Sequence, residues 1–303
     1  MFSFGSDPEI FMTKDGKIVN AIGILPSKQK KKNKGMTSVY YDNALAEMQI
    51  EPSDNASNTI ENIRKAFNLL HKVAPKNKIE IKSAHFFTDE EVSDKESKTI
   101  GCIPEYCAYT LKQIMPPTDV IRNSGLRTAG GHIHLGNNDL FIDGSSIIKT
   151  IRMLDLFLGI PSILLDHDNT QKQRRKIYGH AGSHRVPNHG LEYRCLGNFW
   201  LKSPKLVDII YDLTSFVVNF VESNGYKKFW NCNGNFNQLS LCFGYDVKLL
   251  RKCINTCDND MAKKFMEIVA KYIPKSITKK IERISSIDFD FYKEWNLKPM
   301  SLS

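Results

Sequence analysis

Residues 130–136 read Gly130-Gly131-His132-Ile133-His134-Leu135-Gly136. Side chains two apart on a strand share a face, so His132 and His134 point one way while Ile133 and Leu135 point the other. Three further segments repeat this sense. In 44–51, Glu47, Gln49 and Glu51 oppose Ala46, Met48 and Ile50. In 190–195, Glu192 and Arg194 oppose Leu191 and Tyr193. In 5–11, Asp7 and Glu9 share a face with Ile10 on the other. One such strand is ordinarily the wet side of a sheet. Four of them, each with carboxylate, imidazole or guanidinium on its polar side, predict a sheet whose hydrophilic face is a site.

Working outward, residues 2–21 read as a strand, a turn at Asp15-Gly16 and a second strand. Residues 38–51 read as one long or bent strand. Asn58 and Glu61 have capping-box spacing ahead of a stripe of Ile60, Ile63, Phe67, Leu70 and Val73, which predicts a helix. Strands are predicted at 78–87, 127–135 and 190–196. Helices are predicted from Ser145 to about Leu158, from Ser203-Pro204 to about Val221, over 246–257, and over 260–273 up to Pro274. Residues 174–185 (RRKIYGHAGSHR) lack an apolar period and read as a functional loop. There Arg175 or Arg185 would meet phosphates and a substrate carboxylate, and the glycines would admit the ligand. The irregular mixture of strands and helices predicts an α+β fold with an antiparallel sheet. Neither a GxxxxGK[ST] loop nor a GxGxxG fingerprint is present. No linker or repeat divides the sequence, so one domain is expected over 1–303, with the motifs in 1–201 and a helical part in 202–303.

With 303 residues, 41% hydrophobic and 25% charged, the chain can bury a core without crosslinks. The seven cysteines are odd in number and form no CxxC pair, so reduced thiols are expected, with Cys253 and Cys257 as small core residues one helical turn apart. No signal segment or membrane span is legible, and a cytoplasmic protein without a membrane partner is expected. The net charge of +9 fits an acidic partner, either ATP or nucleic acid. Part of it lies in Lys28–Lys34, expected as a solvated loop or a groove lining. Carboxylates with one or two imidazoles suit Mg²⁺ or Mn²⁺.

The ordered set GSDPEIF (5–11), DNALAEMQIEP (42–52), GCIPEY (101–106), AGGHIHLG (129–136), RRKIYGHAGSHR (174–185) and GLEYRCLGNFW (190–200) resembles the phage-type COOH–NH₂ ligase (amidoligase) family. That family belongs to the glutamine synthetase and glutamate–cysteine ligase superfamily, and the resemblance runs from the N-terminus to about Trp200. It implies a glutamine-synthetase-like catalytic domain, a curved, mostly antiparallel sheet with helices on its outer face. It implies an enzyme in which ATP phosphorylates a carboxylate and an amine displaces phosphate from the acyl phosphate, with Mg²⁺ or Mn²⁺ as cofactor. By position, Asp7, Glu9, Glu47, His132 and Glu192 look like metal ligands, with Asp42 or Glu51 as a further carboxylate. His134 is similar to a histidine on an ATP phosphate, and Arg194 to the arginine that stabilises the phosphoryl group. Arg175 and Arg185 are similar to arginines that hold ATP phosphates or the substrate carboxylate. The substrates implied are a small-molecule or peptide carboxylate and an amine, with nucleic acid not required. Two other classes stand beside this reading. One is a zinc hydrolase drawing on His132, His134, His180, His184 and His189; the other is a noncatalytic basic protein that binds nucleic acid or belongs to a virion.

Overall fold

Strand pairing puts the polar segments side by side. The computed structural model describes residues 1–98, 104–115, 118–119, 123–228, 240–241 and 245–297. Its strands up to residue 193 are β1 (Ser3–Ser6), β2 (Glu9–Lys14), β3 (Lys17–Val19), β4 (Lys32–Lys34), β5 (Thr37–Asp42), β6 (Leu45–Ser53), β7 (Lys78–Glu80), β8 (Ala84–Phe86), β9 (Glu105–Cys107), β10 (Gln113–Ile114), β11 (Leu126–Thr128), β12 (Ile133–Gly136), β13 (Ser183–Arg185) and β14 (Leu191–Tyr193). Twelve of them form one sheet in the order β10-β9-β13-β14-β12-β1-β6-β2-β3, with β5 and then β4 attached to β6, and β7 beside β2. Its strand pairs are antiparallel. β8 and β11 form a separate antiparallel ribbon. The fold is α+β with a large antiparallel sheet, as expected.

Several local expectations change. Residues 38–51 are two strands, not one. β5 and β6 form a hairpin with Asp42 opposite Leu45, and Asn43 turns the chain at φ 54°. Asparagine tolerates this left-handed conformation, so Asp42-Asn43 was the turn signal inside the alternation. The 2–21 hairpin does turn at Asp15 and Gly16, both at positive φ. Its first strand, however, bends at Asp7-Pro8, so β1 pairs with Ser53 and Ile50 of β6 while β2 pairs with Glu47 and Ala46. The predicted strand 78–87 divides into β7 and β8, and 127–135 divides into β11 and β12 around Gly130-Gly131.

The helices pack on the apolar face. α1 (Ala56–Val73) is capped three residues before the expected Asn58, by the Asn55 side chain, which accepts from the Asn58 amide. α2 (Gly144–Leu154) passes through a π turn, Asp155–Gly159, into α3 (Ile160–Leu165). The arginine-rich stretch is not a loop throughout, because α4 (Gln171–Ile177) contains Arg174 and Arg175. α5 (Pro204–Glu222) is capped by Ser203 as predicted. α6 (Val247–Thr256) and α7 (Asn259–Val269) match the two predicted helices, the second stopping short of Pro274. α8 (Lys275–Ile284) and α9 (Phe291–Trp295) fall in the part expected to be helical, although neither was delimited from sequence.

One buried cluster joins Ile10, Met48, Ile133, Leu135 and Tyr193 of the sheet to Phe67, Ile151, Leu154, Ile210 and Val217 of the helices. The Phe67 ring meets Phe291 at 4.9 Å and Trp295 at 5.1 Å, and the Trp295 indole donates to Leu201 O at 2.7 Å. Each fully buried side chain of this size contributes roughly 1.5–3 kcal/mol. Cys107, Cys195, Cys253 and Cys257 are free and buried, while Cys102, Cys232 and Cys242 lie outside the described residues. Among the described residues no helix is long and apolar enough to cross a membrane.

Candidate active site

Register aligns the polar residues across the sheet. His134 stands opposite both Gly5 and Glu192, and Arg185 also stands opposite Glu192. Glu9 is opposite Glu47, which is opposite Tyr40. Two groups of ligand type result, Asp7 with His132 and Glu192, and Glu9 with Asp42 and Glu47. Within each group the donor atoms lie within 4.8 Å of one another. A cavity of about 320 Å³ opens along this face. Asp7, Glu9, Asp42, Glu47 and His132 line it together with Arg185, Arg194, Tyr178 and Lys28.

The glycines of 130–136 are explained by close approaches. A Cβ on Gly130 would overlap the His132 ring, and one on Gly131 would overlap Gly197 O and the Trp200 indole. The missing side chains let β12 enter the sheet with His132 folded beneath it. The Gly130 amide donates to Glu9 Oε2 at 2.7 Å, and the Glu9 amide donates back to Gly130 O at 2.9 Å. Ser6 Oγ donates to His132 O at 2.5 Å. The two groups are thus tied through one backbone junction.

Arg194 is held on every side. Its Nε donates to Glu105 Oε2 at 3.0 Å, and its terminal nitrogens donate to Glu192 Oε1 and to the Tyr178 hydroxyl. The guanidinium also lies 5.2 Å from the centre of the Tyr178 ring. Arg185 is looser, with Nη1 4.0 Å from Glu192 Oε1. His132 Nδ1 lies 3.4 Å from Asp7 Oδ1 and 3.5 Å from Glu192 Oε1.

The two groups differ in charge balance. Burial pushes Asp7 up, but the charge of His134 and hydrogen bonds from His132 and His134 outweigh it and hold Asp7 well below the usual range. Burial, aided by Arg194, lowers His132 to about 4, so it is a neutral imidazole with a lone pair to offer. Burial raises Glu9 to about 7, and the nearby carboxylates of Asp42 and Asp7 add to the effect. Glu47 is raised well above its ordinary value by burial and by Asp7 and Asp42. The Tyr40 hydroxyl donates to Glu47 Oε1 and is itself pushed up by burial and by that carboxylate. Crowded buried carboxylates of this kind fit a hard divalent cation.

The residues expected from sequence fall into place unevenly. Asp7, Glu9, Glu47, His132, Glu192, Arg185 and Arg194 come together on this face. His134 stands at its margin, with Nε2 2.9 Å from Asp7 Oδ1 and Nδ1 sharing a hydrogen bond with His189 Nε2 at 2.8 Å. Arg175 does not reach the cavity, because it is buried in α4 and donates to Cys195 Sγ at 3.0 Å. The glycines of the same stretch face protein, not ligand: a Cβ on Gly179 would overlap the Arg174 guanidinium, and one on Gly182 would meet the Tyr109 ring. Asp42 supplies the further carboxylate, whereas Glu51 lines a separate depression with Asp54 and Glu61. Gln49 lies outside both groups and accepts from Ser38 and Lys31. The lysine segment is a short 3₁₀ turn followed by β4, and Lys28 sits 5.4 Å from the Tyr40 ring at the cavity edge.

Glu105, Tyr178 and Tyr40 were missed. Glu105 lay in the quoted motif GCIPEY, whose Gly101, Cys102 and Ile103 are outside the described residues. Tyr178 had only its place between two arginine clusters as a signal. Among the described residues neither ligand-type group holds more than one histidine, which disfavours a zinc site built on imidazoles.

Comparison with known proteins gives the class. The model of the phage phiEco32-like COOH.NH2 ligase-type 2 family matches residues 125–295, more than half of the chain. The protein belongs to that family and is a carboxylate–amine ligase by membership. The match shares 125–200 with the resemblance read from sequence and continues through the C-terminal helices, where no motif had been legible. Among solved structures, a GmaS/ADP complex in conformation 1 aligns at 9% identity over 98% of this chain and 70% of that one, with a TM-score of 0.47. A bifunctional glutathione synthetase from Pasteurella multocida aligns at 10% identity over 97% of this chain and 48% of its own, with a TM-score of 0.46. No curated protein matches the sequence.

Proposed function

We propose that the protein joins a carboxylate to an amine at the expense of ATP, through an acyl phosphate, with Mg²⁺ or Mn²⁺ held by the two carboxylate groups. A carboxylate oxygen of the substrate attacks the γ-phosphorus and ADP leaves. The amine nitrogen then attacks the acyl carbon, phosphate leaves, and the amine gives up a proton. Asp7, His132 and Glu192 would hold one cation, and Glu9, Asp42 and Glu47 a second. When bound, such cations neutralise charge on the phosphate oxygens.

The side chains have the remaining tasks. Arg194 directs a fixed guanidinium toward the transferring group, where charge is stabilised without reorganisation. Arg185, at the cavity wall, binds a phosphate or the substrate carboxylate through its planar fork. His134, beside Asp7, is the proposed contact to an ATP phosphate. Lys28 adds a mobile positive charge at the mouth. No side-chain nucleophile is required, because ATP activates the carboxylate.

The observation that carries this reading is that Asp7 and His132 of one group and Glu9, Asp42 and Glu47 of the other line the same cavity as two arginines. The test is a matrix of amino acids, small peptides and amines screened for Mg²⁺-dependent ADP release, followed by mass measurement of the product. The expected result is ADP release that depends on one carboxylate and one amine, with a product lighter than their sum by one water. Failure to bind Mg²⁺-ATP together with absence of turnover would defeat the reading.

A further inference from the structure

Arg174 and its neighbour Arg175, which sequence had placed beside a ligand, lie behind the segment that carries Glu192 and Arg194. Arg174 is 1% exposed, and donates from Nη1 to Cys195 O at 3.0 Å and from Nη2 to Arg194 O at 3.2 Å. Gly179, at φ +69°, leaves room for this guanidinium, since any Cβ there would overlap its terminal atoms. Next to it, Arg175 donates to Cys195 Sγ. On the same rear face the Tyr193 hydroxyl donates at 2.7 Å to Asp155, which a π turn between α2 and α3 presents. Three successive residues, Tyr193, Arg194 and Cys195, are therefore gripped from behind by buried charged side chains.

Such a device is a costly way to hold a strand. Removing a guanidinium from water is penalised, and apolar packing would fix a strand without that penalty. What arginine adds is a rigid fork that reaches two consecutive carbonyls at once. The first of these carbonyls is bonded to the Cα from which the Arg194 side chain departs, and the second belongs to the next residue. On the front of the sheet that side chain must meet Glu105, Glu192 and Tyr178 together. Constellations of this kind need their groups held to within about 0.5 Å, so a shift of the backbone beneath Arg194 disturbs the set.

We propose that Arg174 is a positioning residue for the ligase reaction, holding the Arg194–Cys195 peptide so that the Arg194 guanidinium stands at the cavity in its reactive orientation. It touches no substrate. The proposal rests on the ligase reading, through the role given there to Arg194.

The test compares Arg174→Ala and Arg174→Lys with the wild type in steady-state ADP formation, with and without millimolar guanidinium. For Arg174→Ala the expected result is a kcat lower by about 10- to 100-fold, the scale of a misplaced reactive group. The KM for ATP should stay within about threefold, because ground-state contacts are kept. Guanidinium, but not urea or NaCl at equal concentration, should restore activity several-fold by refilling the cavity. Arg174→Lys, which reaches one carbonyl at most, should fall between. Wild-type kcat in both variants, or a loss that follows the folded fraction and is not rescued, would overturn the proposal. A crystal structure of Arg174→Lys gives a second readout independent of turnover. The Arg194 guanidinium should leave Glu105, and an unmoved guanidinium would also overturn it. Should the wild type fail to form ADP, the ligase reading falls, whereas an active wild type with unaffected variants removes only the role of Arg174.

Discussion

The two carboxylate groups of the cavity, carried on or next to different strands of one sheet, are electrostatic opposites. Asp7, His132 and Glu192 are balanced from within, since Arg194 bonds Glu192 and the two histidines hold Asp7 ionised. Glu9 accepts from the Gly130 amide and Glu47 from the Tyr40 hydroxyl, but burial and the neighbouring carboxylates prevail and drive Glu9 to about 7 and Glu47 well above its ordinary range. The first group is preorganised by protein charges; the second is balanced only when a cation or protons arrive. On the proposed reading, one group fixes geometry and the other responds to metal and pH.

The largest effect expected from this contrast is on turnover. Glu47→Gln and Glu192→Gln should each lower ADP formation by roughly 100-fold, since each turns a charged ligand-type carboxylate into a neutral amide. Their stabilities should diverge. Without added cation, Glu47→Gln should melt no lower than the wild type because it removes repulsion, whereas Glu192→Gln strands Arg194 and should melt lower. Equal melting shifts in the two variants would erase the proposed difference.

Arg194→Lys comes next. A point charge cannot serve Glu105, Glu192 and Tyr178 together, so kcat should fall by at least about 10-fold, with a smaller change in KM. Steady-state kinetics at saturating ATP decide this.

The pH dependence is assigned to the unbalanced group. The folded value of Glu9 lies above its unfolded one, so the folded state binds more protons between about 4.5 and 7, and the stability of the cation-free protein should fall as pH rises through that window. Added Mn²⁺ should reverse the trend. Its stabilising shift in melting temperature should be large at pH 8 and shrink as pH drops through 7, where protons compete for Glu9. Glu9→Gln should flatten the cation-free profile and weaken the Mn²⁺ shift at all pH values. An unchanged profile would detach Glu9 from the effect.

The smallest effect is expected at the mouth. Lys28→Ala should raise the KM for ATP or the carboxylate by only about two- to fivefold with kcat nearly kept, because an exposed charge is screened by solvent. Lys32→Ala, on β4 away from the cavity lining, should change neither.

The same contrast between balanced and unbalanced residues governs how much was legible in the sequence. The sheet and its polar face could be read because period-two alternation survives wherever one side packs on the core, as in 130–136 and 190–195. The alternation failed at Asp42-Asn43, where a two-residue turn preserves the pattern of apolar residues and hides the hairpin. That error also left Asp42 without a place, although turning the chain there is what brings it to Glu9 and Glu47. α4 was missed because its packing face is built from Arg174 and Arg175, and hydrophobic periodicity cannot see a buried guanidinium. For the same reason Arg175 was assigned to a ligand when its partner is Cys195. Glu105 was within a recognised motif, yet its role depends on Arg194, a residue 89 positions away. Pairings of that range become visible only through the strand order β9-β13-β14.

The most direct test of the whole account counts cations. Titration of Mn²⁺ followed by electron paramagnetic resonance, with a non-hydrolysable ATP analogue present, should give two bound ions per chain in the wild type. Glu47→Gln and His132→Ala should each retain one. A wild type that binds no Mn²⁺, or a stoichiometry that neither substitution alters, would contradict the assignment of these side chains to the metals.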